Sequence, residues 1–415
     1  RSGQGPQEAM LVLDYGPVRG HAHPDKLNFL FYAHQRELVC DQGYLWARHH
    51  FTPFLSSTLA HNQVLVDGGP QRMVSGELLS FAPGQFAQSM RAQAPDTYEQ
   101  TDLYERTMVM VAPEGGPAYA VDCFRVRGGE RHTMSFHGDG ETFECALPFA
   151  DYDGEVVTRA AAGGDLIRSQ ARAEPESAFS ADWRLEPDND YGARLTVLDE
   201  GVTAYHLTAP GLRNRSTPWA DRTLHLLLWE QPGPESTFLS VVETVAGTPR
   251  LGAIERVGCS HEAARGVRLE REGATDYVFL ADPEAAGETV TCEALPGLSF
   301  SGREAVVSVD AQGPSFARIV DGTSLQLGEI SLRCSGPMTG TVTAFDDGAD
   351  TITTVATLPE GEALRRQQLL VAGRVDGAYE IASVERTEAG SIVHLADEPI
   401  MGVAEDDAFT IPSVV

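Results

Sequence analysis

Phe238-Leu239-Ser240-Val241-Val242-Glu243-Thr244-Val245 decides how the rest of the chain is read. The run is short, rich in β-branched and aromatic residues, and closed on both sides by glycine and proline, which reads as a strand. The same signature recurs at Met108-Val109-Met110-Val111 and over residues 118–126, 223–229 and 277–280. Many such runs without intervening amphipathic helices predict an all-β chain of stacked antiparallel sheets. One stretch, 362–370, has a helix-like pattern, and its Leu369-Leu370-Val371 fits a strand equally well. No repeat of fixed period is present.

With 415 residues the chain can bury a large core and is expected to form two parts. The expected architecture is a large antiparallel β-sandwich over residues 1–315, followed by a small C-terminal β-domain over 316–415. The acidic Asp346-Asp347-Gly348-Ala349-Asp350 is turn material. Beyond it, residues 379–384 and 391–395 flank a Glu388-Ala389-Gly390 turn and read as a hairpin. The chain opens on Arg1 without an initiator methionine and enters a strand within ten residues, so it reads as a piece of a longer protein.

The formal charge is −29, from 60 acidic and 31 basic side chains, and Lys26 is the only lysine. Such a surface repels nucleic acids and anionic membranes, whose affinity for proteins comes largely from neutralised phosphates. Neither is an expected partner. No apolar run approaches the roughly 18 residues of a membrane span. The six cysteines lie far apart with no CxxC spacing, which argues against a zinc ribbon or a thioredoxin-like motif.

The residues with most chemistry stand in the first seventy: Gly20-His21-Ala22-His23-Pro24-Asp25-Lys26-Leu27, then Leu38-Val39-Cys40-Asp41-Gln42-Gly43, then Ala60-His61-Asn62-Gln63-Val64-Leu65-Val66-Asp67-Gly68. In an extended segment residues i and i+2 share a face, so His21 and His23 could address one site. Pro24 disfavours helix at His23. Asp41 stands at the end of an apolar run, and His61 opens a third run, 61–66. If residues 27–33 pair with 38–41 through a turn at His34-Gln35-Arg36, Asp41 lies opposite about Phe29, and the His-Pro-Asp segment must fold back to reach it. Two neutral imidazoles and a carboxylate suit a borderline cation such as Zn²⁺.

In this order the blocks HxHxDxL, VxDxG and AHNxVxVDG resemble the heparinase II/III-like polysaccharide lyases, in the β-sandwich C-terminal half of the enzyme. The resemblance covers roughly residues 1–300, with its motifs concentrated in the first seventy. It implies an N-terminal α/α-toroid domain, missing here, and cleavage of uronic-acid-containing polysaccharide (alginate or heparan/glycosaminoglycan type) by β-elimination. A base takes the C5 proton, an acid protonates the leaving oxygen, and the uronate carboxylate is neutralised. By this resemblance His23, Asp41 and His61 hold a structural Zn²⁺, while His21 and Tyr44 carry protons. Arg48, His49, Asn62 and His137 would line the substrate path, with Asn62 also able to orient His61. The toroid supplies other essential groups in the family, so this chain alone is expected to be inactive or weakly active. The implied partner is an acidic polysaccharide, and the implied location is secreted or periplasmic.

Two other classes stay open. One is a non-catalytic carbohydrate-binding module, with Trp46, Trp219 and Trp229 as a sugar platform. The other is a metal-dependent hydrolase with an activated water among His23, Asp41 and His61. No GxSxG elbow, Walker loop or dinucleotide fingerprint is present.

Overall fold

The computed structural model describes residues 2–3, 5, 8–18, 20–43, 50–185, 190–211, 222–396 and 399–415. Strands dominate throughout, and the helices named among the described residues are as short as Thr52–Leu55 and Pro283–Ala286. The chain divides into two compact units, residues 1–77 with 91–250, and residues 78–90 with 251–415. The expected boundary at 315/316 falls inside the strand Gly313–Val320, and the barrel described below begins at Met338.

Most of the first unit is built into two large antiparallel sheets. One has eight strands in the order Thr142–Cys145, Phe179–Arg184, Tyr191–Val197, Glu235–Ala246, Tyr119–Arg127, Leu103–Val111, Ala87–Gln93, Glu77–Ala82. The other has six, in the order Ala150–Asp151, Ser169–Ala173, Thr203–Gly211, Arg222–Pro232, Arg131–Phe136, Val64–Val66. Side chains link the two across a shared interior. The Trp183 ring meets Phe136 edge-on with centroids 5.0 Å apart, and its indole N–H donates to the His225 carbonyl at 2.8 Å. The Tyr104 hydroxyl donates to the Val64 carbonyl at 2.6 Å. Strand Tyr119–Arg127 is buried at every position but its last, as a central strand covered on both faces must be.

A pair of glycines carries the chain from one sheet to the other between Arg127 and Arg131. Gly128 has φ of +106°, and a Cβ there would overlap the Gln100 carbonyl. Only glycine fits that turn.

A third, three-stranded sheet has the order Ala9–Leu13, Phe29–Ala33, Arg36–Val39. Its hairpin turns at His34-Gln35, both at positive φ, which matches the right-handed twist of the flanking strands. Phe31 pairs with Val39, with a register shift between Phe31 and Tyr32, and the pairing stops at Val39, two residues before Asp41. The turn is two residues long and not three, since Arg36 already pairs with Ala33.

The second unit holds a five-stranded sheet, a four-stranded sheet and a closed six-stranded barrel. In the barrel the first strand, Met338–Asp346, pairs with the last, Ala408–Ile411. The 379–384/391–395 hairpin is present within Gly377–Thr387 and Gly390–Leu395, while the helix-like stretch is turn over 362–366 and enters the strand Gln368–Ala372 only at its end. Leu369, Leu370 and Val371 are all buried there, so packing into the barrel decides what local pattern left open.

Candidate metal centre

His23, Asp25, Asp41 and His61 converge: one ligand atom from each lies within 4.8 Å of every other. Three chain segments deliver them. Asp41 follows the strand Arg36–Val39. His61 caps the 3-10 turn Thr58–Ala60 in extended conformation, and the third strand begins only at Val64, three residues later than its sequence suggests. His23 and Asp25 belong to an irregular segment that folds back, with Leu27 at φ +65° and its N–H donating to the Asp14 carbonyl.

His61 is almost fully buried, and its tautomer is legible. Its Nδ1–H donates to the Ser57 carbonyl at 2.7 Å, which leaves Nε2 to face the cluster. Around that nitrogen stand Asp41 Oδ2 at 3.2 Å, His23 Nδ1 at 3.3 Å and Asp25 Oδ2 at 3.9 Å. Ligands about 2.0–2.1 Å from a tetrahedral Zn²⁺ sit about 3.3 Å apart along each edge of the tetrahedron. The spacing fits a divalent ion, as does the charge, since two carboxylates and two neutral imidazoles neutralise a dication.

Electrostatics support that reading. Burial pushes His61 down, but the hydrogen bond and charge of Asp41, with Asp25 behind it, leave its pKa raised overall. Burial pushes Asp41 up, yet His61 and the Gly43 N–H hold it well below the usual carboxylate range. Burial and the neighbouring His61 lower His23, and burial raises Asp25. Two acids and two imidazoles at this spacing are in tension that a shared cation relieves. Lys26 lies beside them, its ammonium 3.1 Å from Asp14 and 3.6 Å from Asp25.

The supporting groups are side-chain amides and one arginine. Gln63 donates to the carbonyls of Pro24 and Thr58, at 3.0 and 2.9 Å. Gln71 accepts from the Lys26 N–H at 2.8 Å and donates to Gln63 at 2.6 Å. Beneath them Arg106, fully buried, forms a bidentate pair with Asp122 and donates from Nη1 to the carbonyls of Leu27 (2.6 Å) and Asn62 (2.5 Å). One guanidinium therefore ties two of the three segments, the one carrying His23 with Asp25 and the one carrying His61, to the eight-stranded sheet.

The remaining sequence candidates separate. His21 and His23 do not share a face: His21 is exposed on a turn beginning at Gly20 (φ +55°), while His23 is buried. Asn62 is buried and turns away from His61, its Oδ1 accepting the His137 N–H at 2.7 Å. His137 is itself fully buried, its ring nitrogens facing the carbonyls of Gly138 and Ala60, so it props the site from inside and presents nothing to a substrate. Burial drops its pKa to about 4. Tyr44, Arg48 and His49 lie outside the described residues, as do Trp46 and Trp219. Trp229 is a core residue, fully buried with its indole N–H donating to Asp199.

Asp25 was missed as a ligand in the sequence reading, although its i+2 spacing from His23 was visible. A further carboxyl lies near: Asp139, which burial pushes up to about 7, against the opposing effect of its hydrogen bond with Cys40.

The family model for the heparinase II/III-like C-terminal domain matches residues 4–215. No curated protein matches the chain. Among solved structures, heparinase III is similar at 14% identity and a TM-score of 0.45, over 68% of this chain and 40% of that one. The heparan sulfate lyase HepC from Pedobacter heparinus is similar at 13% identity and a TM-score of 0.40, over 73% of this chain and 39% of that one. The chain thus spans well under half the length of the solved structures it matches.

Proposed function

The chain belongs to the heparinase II/III-like family through that family's C-terminal domain, and we propose that it is the β-sandwich portion of a lyase that cleaves uronate-containing polysaccharide of the heparan or glycosaminoglycan type by β-elimination. The observation that carries the reading is the buried His23–Asp25–Asp41–His61 cluster directly beside the exposed His21. A cation there would pin the segment from which His21 reaches solvent. His21 then serves as a proton carrier towards substrate, with Tyr44, Arg48 and His49 as the further candidates from the sequence.

The metal that this cluster would hold is zinc, and its role would be structural. His23, Asp25, Asp41 and His61 would hold the ion with four protein donors, as in closed structural sites that keep no place for an activated water. A metal-dependent hydrolase would need that open position. The burial of Trp229 likewise removes one of the three rings a sugar-binding platform was built on. Secretion or export to the periplasm fits a polymeric extracellular substrate; among the described residues no helix is long and apolar enough to cross a membrane.

The test is to load the purified chain with zinc and incubate it with heparan sulfate and, separately, alginate, following the near-ultraviolet absorbance of unsaturated uronate. One zinc per chain, saccharide binding and little or no elimination by the chain alone are expected. Depolymerisation at full lyase rates would overturn the reading of the chain as a portion. A zinc stoichiometry of zero would overturn the metal assignment.

A further inference from the structure

The second unit contains a cysteine pair that the metal centre does not involve. Cys259 follows the strand Ile254–Val257, at one edge of the five-stranded sheet, and Cys292 follows Val290–Thr291, at one edge of the four-stranded sheet. The two residues oppose each other in an isolated antiparallel bridge. The Ser260 N–H donates to the Thr291 carbonyl at 2.9 Å, and the Thr291 N–H donates to the Ser260 hydroxyl at 2.9 Å. The first of these bonds marks the 259/292 pair as a non-hydrogen-bonded one, the closer of the two antiparallel kinds, with Cα atoms about 4.5 Å apart and side chains on the same face. A disulfide needs Cα atoms about 4.4–6.8 Å apart and converging Cβ vectors. Both thiols pack into one apolar cluster, Cys292 within it and Cys259 against it. Among the described residues no third ligand joins them to make a metal site.

We infer that Cys259 and Cys292 are a redox site that closes into a disulfide, joining the edge of one sheet to the edge of the other. The oxidant is a small-molecule disulfide. The thiolate of Cys259, the more exposed of the two, attacks one of its sulfurs, forming a mixed disulfide and expelling one small thiolate. The thiolate of Cys292 then displaces the second. Two protein thiols lose two electrons and two protons, and the reagent's S–S bond is reduced to two thiols. Burial and the neighbouring Cys292 push the Cys259 thiol up to about 11, so closure accelerates as pH rises. The bond would span about 33 residues, a loop long enough for it to restrain the unfolded chain substantially.

The folded chain is incubated with oxidised glutathione at pH 8, unfolded, and its thiols titrated and mapped by mass spectrometry. Arg265, Arg268 and Arg271 lie between the two cysteines, so digestion at arginine places them in separate peptides. Six titratable thiols are expected before oxidation and four after, with a cross-linked peptide joining Cys259 to Cys292. The unfolding midpoint of the second unit should rise by roughly 5–10 °C. The Cys334→Ser variant should retain the cross-link and Cys292→Ser should lose it. Six thiols after oxidation would overturn the inference, as would a bond from either cysteine to Cys334. Because the map is read on the unaltered chain, a variant that fails to fold does not decide the matter.

Discussion

Replacing Arg106 by methionine tests whether one buried guanidinium holds the metal centre together. The substitution keeps an unbranched apolar side chain but removes the ion pair with Asp122 and the donors to the Leu27 and Asn62 carbonyls. Asp122 is 2% exposed, so its carboxylate would be left uncompensated in the interior, at roughly 3–5 kcal/mol. Each carbonyl that loses its donor costs about 1 kcal/mol more. The single variant should therefore lose about 5–7 kcal/mol, a shift of roughly 2 M in the urea midpoint for a unit of this size. Tryptophan fluorescence is the natural probe, because all four tryptophans (Trp46, Trp183, Trp219, Trp229) fall within the first unit. Arg106→Met combined with Asp122→Leu removes the stranded charge and should cost only about 2 kcal/mol, the two carbonyls remaining. Zinc affinity should stay at least tenfold down in both, since Leu27 and Asn62 adjoin the ligand segments. A loss under about 1 kcal/mol in Arg106→Met, or a double variant no better than the single one, would refute the strut. Unchanged zinc affinity would sever it from the site.

Other outcomes follow from the same geometry. Zinc binding should displace about one proton near pH 6–7, because without the ion His61 Nε2 needs a proton to face Asp41, and with it the nitrogen is a ligand; calorimetry in buffers of different ionisation heat measures this, and no proton release would contradict the assignment. Asp25→Asn should weaken zinc at least tenfold by competition with a chromogenic chelator while leaving the chain folded; equal affinity would return the site to three ligands. His137 and Asp139 should tilt stability against pH in opposite senses. His137, lowered from its ordinary value to about 4, contributes stability that is full above pH 6.5 and is lost as pH falls towards 4. Asp139, raised to about 7, contributes stability that is full below its ordinary value and is lost as pH rises towards 7. Relative to the unaltered chain, Asp139→Asn should therefore gain stability between pH 4 and 7 by up to about 1.4 kcal/mol per unit, measured by urea unfolding at each pH; a difference independent of pH would disprove the raised Asp139 carboxyl.

Strands were legible in the sequence because their signal is local: alternation, β-branched residues and glycine or proline punctuation all act within about ten residues. The hairpin of Phe29–Ala33 with Arg36–Val39 was equally legible, although the turn is one residue shorter than its sequence suggests and a register shift follows it. The candidate metal centre was half legible. His23, Asp41 and His61 stood out as residue types, but their convergence depends on a fold-back at Leu27 and on the 3-10 turn before His61, neither of which has a periodic signature. The i+2 argument failed for His21 because that stretch is a turn and not an extended strand. Arg106 and Asp122 could not be singled out at all. Within alternating strands they look like ordinary outward charges, and only the facing sheet reveals that they point inward.

Lys26, the chain's sole lysine, is 3% exposed and held between Asp14 and Asp25 at the margin of the metal centre. Amine-directed acylation of this side chain is consequently silent while that corner stays shut, and a modified Lys26 marks a molecule in which it has opened. The protein thus carries its own single-site reporter of local breathing, readable by mass without any engineered label.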